Sequence, residues 1–345
     1  MLFYIWTLSI VIGLTAVAVM GLLVVLRIIH ERRQARGAIL RRKLMESLIR
    51  FSEDRNQLAL VAVLKEMPAA TIADSGFEFL SLLRGDERRR IEEVFAQTGL
   101  PDFVRGRLRK GNEAQRIHSA EILTAFPESA SLNALLEALG GRSREVRIAA
   151  AISLNQLGSL PALPTVLERI GPTGLRSRRL IDLFESLPAA RADELLANAV
   201  KADASPFVRA AAIEALSQTG DYRFLASMED LARDPSPEVA AAALRALGRY
   251  GHPVASETVV AALGSTDWEV RREAAEAVGR IGIPEAVKPL TSLLEDGEWA
   301  VRYAAGKSLK ELGTPGMEAL QRVAIEETSR SQRTASLILS EGLAA

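Results

Sequence analysis

Residues 267–284 read DWEVRREAAEAVGRIGIP, and residues 298–315 read EWAVRYAAGKSLKELGTP. At an offset of 31 the two align without a gap, sharing an acid, a Trp, a Val-Arg pair, an Ala and a closing Gly followed two residues later by Pro. A repeat of 20 to 50 residues is the mark of an array, because a unit that short buries its apolar face only against its neighbours.

The same register runs outward in both directions. Arg116, Arg147, Arg178, Arg209, Arg271, Arg302 and Arg333 all fall on it, and the single interruption is Ala240. Four residues before each position stand Asn112, Ser143, Gly174, Ser205, Ser236, Asp267, Glu298 and Ser329. Six of these eight are good helix N-caps, whose side-chain oxygens accept from unpaired first-turn amides. Pro206 and Pro237 follow their caps at the first helical position, where a missing amide proton costs nothing. Gly158, Gly220, Gly251, Gly282 and Gly313 lie where a helix ends in the left-handed conformation. Pro253, Pro284 and Pro315 then begin a second helix, with Val287, Leu290, Leu293 and Leu294 at helical spacing.

Each unit is therefore helix, turn, helix, and the fold expected is all-α, a right-handed α-solenoid of about seven to eight 31-residue repeats. The segments Ser236 to Val239, Asp267 to Ala275 and Ile281 to Leu290 resemble the HEAT repeat family, in the short form seen in phycobilin-lyase-type HEAT-like repeats. The resemblance spans about 112–341, is clearest over 205–320 and is degenerate near 172–190, where Gly174 and Asp182 break the pattern. It implies a solenoid and, in that family, an Arg used structurally.

Residues 1–26 carry no charged side chain, and Arg27, Arg32, Arg33, Arg36, Arg41, Arg42 and Lys43 follow. This pattern predicts an N-terminal transmembrane helix over 1–29 and, by the positive-inside rule, an inner-membrane protein with N-terminus out and solenoid in the cytoplasm. A basic juxtamembrane helix is expected over 30–50, with Arg32, Arg33, Arg36, Arg41, Arg42 and Lys43 toward anionic lipid headgroups. A divergent helical cap over 51–111 and the solenoid over 112–345 complete the expected organisation.

Charge narrows the function. The chain has 43 basic and 43 acidic residues, but residues 27–110 are net +6 and residues 111–345 net −6. That balance argues against nucleic acid as a partner, although a DNA glycosylase-like HEAT protein is a conceivable third reading. With no Cys and only His30, His118 and His252, neither a thiol nucleophile nor a metal centre is expected. No phosphate loop or catalytic constellation stands out, so no cofactor and no enzymatic activity are expected. The Arg column reads as a ladder pairing with turn acids such as Asp203, Asp234 and Asp296 or with helix carbonyls. Trp268 and Trp299 occupy equivalent positions on adjacent repeats with Tyr303 one turn beyond, which makes these three the candidate partner contacts, although Trp also shields seams between repeats.

The leading functional expectation is a membrane-anchored scaffold that binds protein partners, as an accessory subunit of a membrane complex such as a synthase or transporter. The alternative is a bilin lyase or isomerase, which the resemblance suggests but for which no catalytic residue can be placed.

Overall fold

The computed structural model describes residues 19–21, 24, 27, 37–171, 178–201, 203–325 and 330–341. Among these every regular element is helical. The chain forms two compact units, Met1–Leu135 and Leu136–Ala345. The boundary between them falls within the helix Ser129–Leu139.

In the first unit the helix over 37–54 buries Leu44, Leu48 and Phe51 at helical spacing. Asn56 caps the next helix, Gln57–Lys65, accepting from the Ala59 amide at 3.1 Å. Ala69–Thr71 then runs through a π-turn, Ile72–Gly76, into Phe77–Leu82. The π-turn sits where the Phe95 ring presses on Gly76, at which a Cβ would come within 2.8 Å of the ring edge. Gly85–Gln97, Leu100–Lys110 and Glu113–Ile122 follow. The last opens with a full capping box, in which Asn112 accepts from the Gln115 amide and Gln115 accepts from the Asn112 amide.

This unit corrects the membrane reading. Among the described residues no helix is long and apolar enough to cross a membrane, which overturns the inner-membrane localisation and the transmembrane element of the fold. The helix over 37–54 carries Arg41, Arg42, Lys43, Glu46, Arg50, Glu53 and Asp54, so charge recurs on nearly every turn and its apolar stripe is spent on the protein core. Most of the expected span over 1–29 lies outside the described residues.

In the second unit the repeat register becomes physical. The first helices of the repeats, Arg144–Gln156, Arg178–Glu185, Pro206–Gln218, Pro237–Tyr250, Trp268–Ile281, Trp299–Glu311 and Arg330–Ser340, pack directly on one another. The intervening helices, such as Leu225–Leu231, Ser256–Ala262 and Val287–Leu293, pack mainly against these first helices. Small residues permit the close layer: Ala241, Ala242, Ala243, Ala274, Ala275 and Ala277 are all buried. Gly248 backs onto Ala277, whose Cα would lie 3.1 Å from an added Cβ.

The caps vary more than the register suggests. Asp267 accepts from the amides of Glu269 and Val270 and Ser143 from Val146, whereas Ser236 and Glu298 make no side-chain cap bond. The closing glycines behave uniformly, with φ of +64°, +65°, +62°, +78° and +72° at Gly158, Gly220, Gly251, Gly282 and Gly313. Of the prolines that follow, Pro315 stands at the start of the helix Thr314–Ile325 as expected, whereas Pro253–Ala255 and Pro284–Ala286 are 3₁₀ turns leading into theirs.

Candidate protein-binding face

The Arg column supplies the framework of this face. The Nη1 of Arg147 donates to the carbonyls of Gly141 and Arg142 at 2.8 and 3.0 Å. Arg271 makes the same fork to Ser265 and Thr266, at 2.8 and 3.0 Å, and Arg302 to Asp296 and Gly297, at 2.7 and 3.0 Å. Each rung therefore ties the first turn of its helix to the turn before it. Three rungs also reach forward to the end of their own repeat: Arg147 donates through Nη2 to the Ile170 carbonyl at 2.7 Å, Arg209 pairs with Asp234 at 2.5 and 3.3 Å, and Arg271 with Asp296 at 2.7 and 3.0 Å.

Burial alone would push the Asp296 carboxyl up, but the bonds from Arg271 and from the Glu298 amide outweigh it and hold the group below its usual range. The Arg271 guanidinium is raised, chiefly by its bond to Asp296. Arg116 donates through Nε to the Leu108 carbonyl, Arg178 pairs within its own helix with Asp182 at 3.2 Å, and Arg333 is exposed. Asp203, expected as a rung partner, lies 3.7 Å from Lys201 instead.

A second charged network, which the sequence reading missed, crosses the outer side of the close layer. Arg245 bridges Glu214 at 3.1 Å and Glu273 at 2.7 Å, and Arg249 also binds Glu214. Arg272 holds Glu273 and Glu276, at 2.5 and 2.8 Å, and Arg280 closes on Glu276 at 2.8 Å. Its signal lay in the same 31-residue register, where Glu214, Arg245 and Glu276 alternate in sign. Glu273 is only 2 % exposed, so its charge is stabilised entirely by these arginines. Beside the network a groove of about 440 Å³ opens between helices Arg178–Glu185 and Pro206–Gln218, lined by Ile181, Phe207, Ala210, Glu214, Arg245 and Arg249 among others.

Beyond the network lie the aromatic residues. Trp268 and Trp299 each occupy the first position of their helix and are 39 % and 57 % exposed. The Trp299 ring stacks on Tyr303, with centroids 5.1 Å apart and planes 20° from parallel. The Tyr303 hydroxyl reaches the Glu341 carboxylate at 3.4 Å. One turn of helix thus presents a pre-stacked pair of rings to solvent.

The residues assigned to lipid are engaged with carboxylates. Arg41 pairs with Glu78 at 2.5 Å, Arg42 with Glu46 at 2.8 Å and Lys43 with Glu66 at 3.2 Å, while Arg32, Arg33 and Arg36 lie outside the described residues. His118 stands between Asp74 and Glu121 against the edge of Phe77, and His252 accepts from the Val254 amide as a cap. Among the described residues no group of three or more His, Asp or Glu is arranged to hold a metal ion.

Stacked helical hairpins joined by an arginine ladder define an α-solenoid. The chain belongs to the HEAT repeat family, whose model matches residues 101–180, 192–266, 225–310 and 256–339. The match begins at the helix Leu100–Lys110, earlier than the sequence pattern placed the array. No curated protein matches the chain. Among solved structures it is similar to a mutant of Kap121p, with 18% identity over 82% of this chain and 38% of that one and a TM-score of 0.42. It is also similar to YibA of E. coli, with 18% identity over 68% and 79% and a TM-score of 0.37. A third is an engineered protein, with 19% identity over 82% and 83% and a TM-score of 0.32. The chain spans about two fifths of the Kap121p length, 38%.

Proposed function

We propose that this chain is a non-catalytic scaffold that binds a protein partner through its distal repeats, roughly residues 234–320. The observation that carries the reading is the exposed stack of Trp299 on Tyr303, with Trp268 at the equivalent position one repeat earlier. Large aromatic rings left in water are costly unless covered, and rings already locked by stacking lose little entropy when a partner covers them. The surrounding charges are largely satisfied by their own ion pairs, so the aromatic edge is where association gains most. The family supports the reading in kind, since arrays of this sort offer long surfaces to other polypeptides.

The double substitution Trp268→Ala with Trp299→Ala tests it. Partner co-purification should be lost, by at least tenfold in affinity, with helicity and melting temperature unchanged. A fall in melting temperature instead would make the rings structural, and retained partner binding would displace the site. The bilin reading predicts visible absorbance after co-expression with a bilin, and ours predicts none.

A further inference from the structure

The one interruption of the arginine ladder lies beside an open cavity. At the position where the register demands Arg stands Ala240, 4 % exposed. In three other repeats the ladder guanidinium binds the carbonyls six and five residues before it. The corresponding carbonyls here, those of Asp234 and Pro235, accept no hydrogen bond among the described residues. The acid that receives a rung lies 25 residues later, as Asp234 does for Arg209 and Asp296 for Arg271. For Ala240 that position is Ser265. Both halves of the rung are absent together, and a cavity of about 350 Å³ opens there, lined by Asp234, Pro235, Ala240, Ser265, Thr266 and Asp267 among others.

The notch is flanked by Arg271, whose Nη1 already holds the Ser265 and Thr266 carbonyls, and what it leaves open to a donor are unused acceptors. The Asp267 carboxylate accepts from two amides through Oδ1 alone. The Asp234 carboxylate is shared with Arg209 and the Ser236 amide. Arg233 also lines the notch, but its Nη2 donates to Thr258 at 2.6 Å and its Nη1 sits 3.8 Å from Asp230. We propose that the notch receives the guanidinium of an arginine from a partner polypeptide, which forks onto the Asp234 and Pro235 carbonyls and so completes the ladder in trans. The inference builds on the reading of this unit as protein-binding but names a different contact, so the Trp268→Ala, Trp299→Ala variant and the notch variants fail independently.

The full chain titrated with a capped Gly-Gly-Arg-Gly-Gly peptide should show saturable amide shifts at Asp234, Ala240, Thr266 and Asp267. The same peptide with citrulline, isosteric but neutral, should bind at least tenfold more weakly. Ala240→Arg with Ser265→Asp should abolish binding and raise the melting temperature by about 2 to 4 °C, because the chain then supplies its own rung. Ser265→Asp alone should tighten the Arg peptide about tenfold, since Asp234 and Asp296 show that an acid there also keeps the turn bond to the amide two residues on. Equal response to the two peptides, no saturable shift, a double variant that still binds or melts lower, or a Ser265→Asp chain that binds no tighter would each overturn the proposal.

Discussion

At the scale of single residues, the Arg271–Asp296 pair shows how one rung stabilises the array. Both nitrogens of the fork and both carboxylate oxygens are used, and the Asp296 side chain is only 7 % exposed, so removing either partner strands a charge out of water. Arg271→Ala should cost about 3 kcal/mol in denaturant unfolding. Because the folded carboxyl is held below its unfolded value, its stabilisation is present above about pH 4 and is lost as pH falls through the folded value. Asp296→Asn should therefore flatten the acid limb of the melting-temperature profile below pH 4, and an unchanged limb would show that other carboxylates carry it. The Arg column itself was legible in the sequence, and so was its gap at Ala240. That Ser265 forms the other half of the gap was not, because the offset of 25 between a guanidinium and its acid is set by how the chain folds back within one repeat.

At the scale of elements, the close layer rests on small side chains, with Ala241, Ala242, Ala243, Ala274, Ala275 and Ala277 buried and Gly248 against Ala277. Ala274 has no exposed surface, so Ala274→Asp should cost several kcal/mol by burying an unpaired carboxylate, and wild-type-like melting would place that face elsewhere. Gly316 is tighter still. A Cβ there would fall inside the radius of the Leu309 carbonyl oxygen, which belongs to backbone and cannot swing aside, so Gly316→Ala should destabilise by about 1 to 3 kcal/mol or more. The closing glycines were readable from sequence because a positive φ selects for Gly at one fixed place. The π-turn Ile72–Gly76 was not, since it follows from Phe95 pressing on Gly76 from another helix. The same limit explains the cap at Ser236. Its residue type fits the role, yet the side chain makes no cap bond, while the Ser236 amide donates to Asp234.

At the scale of the molecule, an array bound together mainly by neighbour contacts need not be equally stable along its length. In the second unit, the repeats from Ser236 to Gly313 join through the helices Pro237–Tyr250, Trp268–Ile281 and Trp299–Glu311, a buried alanine seam and the paired network around Glu273. Toward the unit's beginning, Arg178 spends its charge within its own helix, and a groove of about 440 Å³ opens beside Pro206–Gln218. The degeneracy of the sequence near 172–190 marks the same region, so the weak point was readable even though its groove was not. Amides within 178–199 should consequently exchange with solvent at least tenfold faster than those of Trp268–Ile281, at a denaturant concentration well below global unfolding. The gap should widen in Arg178→Ala only as far as that residue's local pair with Asp182 contributes, and exposed i,i+4 pairs contribute little, about 0.3 to 0.5 kcal/mol. Uniform exchange across the unit would mean that the repeats unfold as one block, in which case the groove is as rigid as the aromatic edge and could serve a partner equally well.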